Sequence, residues 1–291
     1  MSFFARRYGE LWKAEGVLVP GLEPVLYNAQ LGFGLQHPVL LAPLSVGDTE
    51  DMFLRKLGVV GTFIDILLAR RIWNFRSIAH STMQYAMFTV MRDIRHKELD
   101  ELVDLLEKRL AADEETFSTE NRLRLHRQNR YQVHKILARI TAHLETQSEM
   151  PNHYINYIGG TGQARYEIEH IWSDHPENHV DEFPHPEDFR EYRDRIGGLL
   201  LVPRSFNESY GDMSYGEKLQ HYDSQNLLAR SLGDPAYDHN PGFRKYIEKT
   251  GLPFRSHPSF KRADIDSRQD LYRLIAEEIW SPGRLAEMAS G

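Results

Sequence analysis

The segment YEIEHIW, residues 166–172, sets Glu167, Glu169 and His170 inside a run that otherwise has the composition of a buried strand. Side chains alternate along an extended chain, so Tyr166, Ile168 and His170 share one face while Glu167, Glu169 and Ile171 share the other. Glu169 and His170 are thereby offered to different partners. Asn207, Asp212 and Lys218 stand further along. Glu169 and Asp212 have the oxygen ligands that a hard divalent cation such as Mg2+ or Mn2+ takes. An imidazole near its ordinary pKa takes a proton from water as that water attacks phosphorus, while the cation stabilises the pentacovalent phosphate and the departing oxygen. His170 suits that base; Asn207 suits a group that pins its loop or orients His170. Lys218 is placed to reach a phosphate or to tie its helix to the strands. Each residue also has a plainer account. A histidine in a strand is commonly structural, Asp212 ahead of a helix is a favourable cap, Asn207 steadies a loop, and Lys218 pairs with Glu167. His175, His179 and His185 crowd a proline-interrupted acidic stretch without an HExxH or Cys-His set, and read as exposed loop histidines rather than zinc ligands.

These residues need a strand–loop–strand–loop–helix order to meet, and the patterning predicts one. HYINYI and YEIEHI read as strands joined by GGTGQAR, followed by a polar loop and a short helix through FREYRDRI. GGLLLVP is then a second strand of the chemical module, RSFNESYGDMS a loop, and YGEKLQHYDSQNLLARSL a helix, with a final helix near residues 267–280. Upstream, HPVLLAPLSVGDTED predicts a short buried helix, a loop and a helix cap. Three amphipathic segments follow, the last carrying Leu99, Leu102, Leu105, Leu106 and Leu110 on one side, which suggests a helical bundle. Residues 121–145 read as one helix bearing Arg122, Arg124, Arg127, Arg130, Lys135 and Arg139, with no acid before Glu145. That face is either solvated or tracks phosphates. Residues 165–234 hold seven Lys and Arg against fifteen Asp and Glu, so a phosphate there requires a cation or a neighbouring basic surface.

Bulk composition narrows the classes. A chain of 291 residues allows one to three domains. The absence of cysteine removes disulfides, thiolate nucleophiles and sulfur-ligated zinc or iron–sulfur sites. A formal charge of −7 argues against a protein that simply coats nucleic acid, and leaves room for a local basic track. MSFFARRYGELW has charges too early for a secretory core. VVGTFIDILLA is interrupted by Asp65 and too short to span a bilayer, so a cytoplasmic protein without membrane contact is expected.

The series YEIEHI and DRIGGLLLVPRSFNESYGDMSYGEKLQHY resembles the HNH-type, ββα-metal (His-Me finger) nuclease module at the C-terminal end of GmrSD-type modification-dependent restriction endonucleases. That family's acid-His-Ile triplet falls on Glu169, His170 and Ile171, its hydrophobic strand on residues 196–202, and its first Asn on Asn207. Its Ser-Asn pair falls on Gly211 and Asp212, its aromatic residue on Tyr215 and its lysine on Lys218. LLARRIWNFRS and the following helices resemble the helical region before the nuclease, so the resemblance spans most of residues 30–235. Gly198 stands where the family usually has Asn, Asp212 replaces its ligand Asn, and no proline follows His170 until Pro176.

The resemblance implies a mainly α protein with a small α+β insert: a helical domain at 1–150, the nuclease module at 151–235, and an extension at 236–291 packing on it. It implies DNA phosphodiester hydrolysis on Mg2+ or Mn2+, with His170, Asn207 and Lys218 catalytic and Glu169 and Asp212 on the metal. The products would carry 3′-hydroxyl and 5′-phosphate ends. The basic residues would contact the DNA backbone with salt-sensitive affinity. A role in phage defence, an N-terminal sensor and nucleotide-hydrolysing domain as partner, and a homodimer for double-strand cutting belong to the same expectation. The rivals are a DNA-binding module of the same fold without efficient chemistry, and a metal-dependent RNase.

Overall fold

A computed structural model describes residues 3–121 and 123–291. Helices α1 (Phe3–Ala14), α2 (Glu23–Gln30), α3 (Gln36–Leu41), α4 (Glu50–Trp73), α5 (His80–Ile94) and α6 (Leu99–Ala111) open the chain. Then come α7 (Arg130–Gln147), α8 (Tyr154–Gly159), strand β1 (Tyr166–His170), α9 (Pro186–Arg193), strand β2 (Leu199–Pro203), α10 (Arg204–Tyr210), α11 (Tyr215–Tyr222) and α12 (Leu227–Arg230). Helices α13 (Pro235–Asp238), α14 (Pro241–Thr250), α15 (Arg262–Ile279) and α16 (Arg284–Ser290) complete the order. The described residues are thus mainly helical with one two-stranded antiparallel sheet, in keeping with the expected mainly α protein with a small α+β insert. It divides into two compact units, Met1–Glu120 with Trp280–Gly291, and Asn121–Ile279. The expected boundary at 150 lies inside the second unit, and the tail from 236 is shared between the two.

The first unit is built around α4. Thr49 caps it, its hydroxyl accepting from the Met52 amide at 3.2 Å, and Glu50 with Asp51 at one end and Arg70 with Arg71 at the other complement the helix dipole. Buried side chains lie on all sides of it, with α2, α3, α6 and α16 packed around. Gly61 permits that approach: a Cβ there would stand 3.2 Å from Cβ of Pro24. Lys56, fully buried in the same helix, is held by Asp48 at 3.0 Å. Among the described residues no helix is long and apolar enough to cross a membrane.

The second unit is built around β2, whose Leu199, Leu200, Leu201 and Val202 are fully buried between α7, α12 and β1. Register sets Tyr166 opposite Pro203 and His170 opposite Leu199. The Asn226 amide donates to the Leu201 carbonyl at 2.6 Å while its oxygen caps α12, and the Tyr272 hydroxyl of α15 donates to the Leu199 carbonyl at 3.0 Å.

Four sequence expectations are corrected. The helix predicted for 121–145 starts only at Arg130, because Leu123 and Leu125 are buried on an extended stretch. There Leu125 N donates to the Asp194 carbonyl and Ile196 N to the Leu123 carbonyl. HYINYI is helical, not a strand, since Tyr154 and Tyr157 bury together at i,i+3 spacing. RSFNESY is a helix rather than a loop, braced by Arg204 and Glu208 at i,i+4 and by buried Tyr210. The long helix expected from Tyr215 breaks after Tyr222, and Asn226 starts a separate turn.

Candidate active site

Strand β1 delivers its two faces as the alternation requires. On one side His170 ends the strand with its ring largely covered, and its Nε2 lies 2.8 Å from Oδ1 of Asp194, the residue that follows α9. Burial pushes the imidazole pKa below its ordinary value; the Asp194 carboxylate opposes that shift, and the Arg193 and Arg130 guanidinium groups add to it. Arg193 is itself partly withdrawn from solvent, its Nε donating to the Trp172 carbonyl at 2.9 Å. His134 of α7 secures the start of the same strand through the Tyr166 carbonyl at 3.0 Å, and burial holds its pKa down to about 4.

On the other side, buried Glu169 accepts from Nζ of Lys218 at 2.7 Å and from the Tyr222 hydroxyl at 3.2 Å, both on Oε1. The Lys218 ammonium also donates to the His170 carbonyl at 2.8 Å, so α11 grips β1 at two points. Burial raises the Glu169 pKa and lowers that of Lys218; in each case the partner works against the shift without overcoming it. Two residues earlier, Glu167 Oε2 accepts from the Asn207 amide at 3.2 Å.

The structure brings together some of the residues singled out in the sequence and separates others. Asn207 sits on α10 and reaches Glu167, on the face of β1 away from His170, so it joins helix to strand instead of orienting the imidazole. Lys218 pairs with Glu169, not Glu167. Asp212 lies in the turn after α10 with its side chain 97% exposed and Oδ1 3.4 Å from Nε2 of His175. The capping position of α11 belongs to Ser214, which exchanges hydrogen bonds with Glu217. Buried Glu169 and the outward-facing Asp212 therefore do not share a site, and Oε1 of Glu169 already holds an ammonium. This pair does not fit a Mg2+ or Mn2+ cradle. Among the described residues no group of three or more His, Cys, Asp or Glu side chains is disposed to hold a metal ion.

The five described residues of the basic set do not form one helical face either. Arg122 lies outside the described residues. Arg124 is in the extended stretch, paired with Glu191, and Arg127 and Arg130 are exposed at the start of α7. Lys135 points inward, its ammonium 4.9 Å from the centre of the Tyr131 ring and its pKa pushed down by burial to about 8. Arg139 is half-buried. Of the five described, Arg127 and Arg130 are the exposed ones, and the charge of Arg130 adds to the lowering of the His170 pKa.

Asp194, Arg193 and Tyr222 were not read from the sequence as members of this site. Tyr222 carried a usable signal, standing four residues after Lys218 on one helix face. Arg193 and Asp194 carried none beyond their place just ahead of the glycine pair.

The family model of GmrSD restriction endonucleases, C-terminal domain, matches residues 110–273, more than half of the chain and all of the residues just described. No curated protein and no solved structure matches. The protein belongs to the family defined by the C-terminal domain of the GmrSD restriction endonucleases.

Proposed function

We propose that the second unit hydrolyses DNA phosphodiester bonds, with His170 taking the proton from the attacking water. The observation that carries this reading is the placement of His170: a covered imidazole at the end of β1, against a carboxylate, with Arg130 and Arg193 bearing on it. Low pKa keeps the ring in its basic form at neutral pH, and two guanidinium groups are suited to a phosphate's charge. The β1, β2, α11 order, with α11 clamped to β1 through Lys218, supports a ββα arrangement of the HNH kind. In a restriction endonuclease family this chemistry serves defence against foreign DNA, and an N-terminal sensor domain and a second copy for double-strand cutting are its natural partners.

Magnesium or manganese is the ion the family resemblance implies, and the ion pair of Glu169 Oε1 with Lys218, beside an Asp212 turned to solvent, argues against Glu169 with Asp212 as its cradle. That same observation favours one rival, a DNA-binding module of this fold without chemistry. A plasmid-nicking assay over Mg2+, Mn2+ and EDTA, run beside a DNA-binding measurement, decides between them. The expected result is metal-stimulated nicking that yields 5′-phosphate ends and is abolished in His170→Ala at unchanged DNA affinity. Wild-type protein that binds DNA but cuts with no metal favours the rival, and preferential cutting of RNA makes it a ribonuclease.

A further inference from the structure

We propose that Asp194 is a positioning residue for His170, holding the ring with its proton on Nε2 so that Nδ1 is the nitrogen that receives the proton from water. The inference rests on His170 as the base of the proposed hydrolysis. A neutral imidazole has one N–H, and an ionised carboxylate can only accept. At 2.8 Å from Oδ1, Nε2 is therefore the protonated nitrogen, which leaves the Nδ1 lone pair free. The other charged groups bearing on the ring, Arg193 of α9 and Arg130 of α7, are donors only and do not compete for the ring proton.

Both partners are fixed from the backbone. Lys218 holds the His170 carbonyl at 2.8 Å. Asp194 is held by its own amide, which donates to the Arg190 carbonyl at 3.2 Å, and by its carbonyl, which accepts from Leu125 N at 2.6 Å. The extended stretch before α7 thus sets the carboxylate that sets the ring. In the reaction the water oxygen bonds to phosphorus and its proton passes to Nδ1. The P–O bond to the sugar oxygen breaks with its electron pair on that oxygen, which solvent protonates. The Asp194 carboxylate stabilises the imidazolium so formed until it returns its proton to solvent.

The test compares Asp194→Asn, Asp194→Ala and Asp194→Glu with wild type in kcat and KM on a DNA duplex, and reads the His170 ring by 15N NMR, assigned by difference from His170→Ala. The wild-type ring is expected as the Nε2–H tautomer. In Asp194→Asn, where the amide can donate to Nε2, the tautomer should change and kcat fall by about 10²–10⁴-fold. KM should stay within about threefold, and Asp194→Glu should recover at least about tenfold over Asp194→Ala, on the order of 1.4 kcal/mol. An Nδ1–H tautomer in wild type, or wild-type kcat in both Asp194→Asn and Asp194→Ala, overturns the proposal. If wild type cuts no DNA, the nuclease reading falls by itself, and the wild-type tautomer still decides whether Asp194 sets the ring. The same spectrum decides if a variant fails to fold.

Discussion

Glu169 shows how little a single residue type settles. Its place in an acid-His-Ile triplet suggests a metal ligand, yet its carboxylate is buried with Oε1 taken by Lys218 and Tyr222. Burial pushes both members of the pair toward their neutral forms, the acid upward and the amine downward. Such pairs add little net stability against a well-packed neutral replacement, but removing one partner strands the other, at a cost of about 3–5 kcal/mol. Lys218→Met is accordingly expected to lower unfolding free energy in urea by about that amount. The double variant Glu169→Gln with Lys218→Met, neutral at both positions and still able to accept from Tyr222, should regain at least about half of it. An unchanged urea midpoint in Lys218→Met would refute the structural role. Restoration of that midpoint by added Mn2+ would return Glu169 to the metal.

At the scale of elements, the sheet and its crossing helix depend on a position without a side chain. A Cβ on Gly197 would collide with the Ile265 carbonyl oxygen and stand 2.5 Å from the Gln269 nitrogen, so α15 lies directly on the backbone that leads into β2. The Gly197 amide confirms the closeness, donating to Gln269 Oε1 at 3.1 Å. Gly197→Ala should destabilise the protein by about 1–3 kcal/mol through forced displacement of α15. A thermal midpoint equal to wild type would mean that the helix shifts freely. Gly198 is less constrained, its would-be Cβ 3.2 Å from the Arg193 carbonyl, which a larger residue meets by a small shift. Strands β1 and β2 were legible because YEIEH alternates and LLLV is a continuous apolar run, and α9 because a proline opens it. The stretch LRL before α7 alternates too, but three residues of period two were outweighed by the basic run that continues into a real helix. In HYINYI the aromatic and β-branched residues favour a strand. Tertiary contacts reverse that preference: the Tyr157 hydroxyl donates to buried Glu145 at 2.7 Å and its ring meets Tyr166 edge-on at 4.8 Å. His170 could be found from its neighbours in sequence, whereas Asp194, 24 residues away, becomes its neighbour through the pairing of β1 with β2, which sets Ile171 against Gly198, and of residues 123–125 with 194–196.

For the molecule as a whole, the notable feature is that the first unit is discontinuous: residues 280–291 belong with 1–120, and the entire second unit is inserted between them. The sequence pointed instead to three consecutive blocks, because a terminal segment of ordinary amphipathic character gives no sign of which core it joins. In the structure Trp280 stacks on Phe117 at 5.8 Å, and Phe117 meets Trp73 of α4 edge-on at 5.5 Å. Leu285 is fully buried, and Arg55 Nη1 of α4 donates to the Ala289 carbonyl at 3.0 Å. Burial of a large apolar side chain contributes roughly 1.5–3 kcal/mol, so Trp280 and Leu285 together supply about 3–6 kcal/mol, before counting the cavity their removal leaves. Against the ~5–15 kcal/mol by which folded domains are usually stable, that is a large share. A chain ending at Ile279 should therefore lose much of the hydrogen-exchange protection of α4 and α6, the helices on which α16 rests. The measurement is amide exchange resolved by segment at neutral pH, full-length chain beside truncated chain. Wild-type protection in α4 and α6 without residues 280–291 would show that the first unit is complete without its second segment, and that the stacking of Trp280 on Phe117 contributes nothing to holding it.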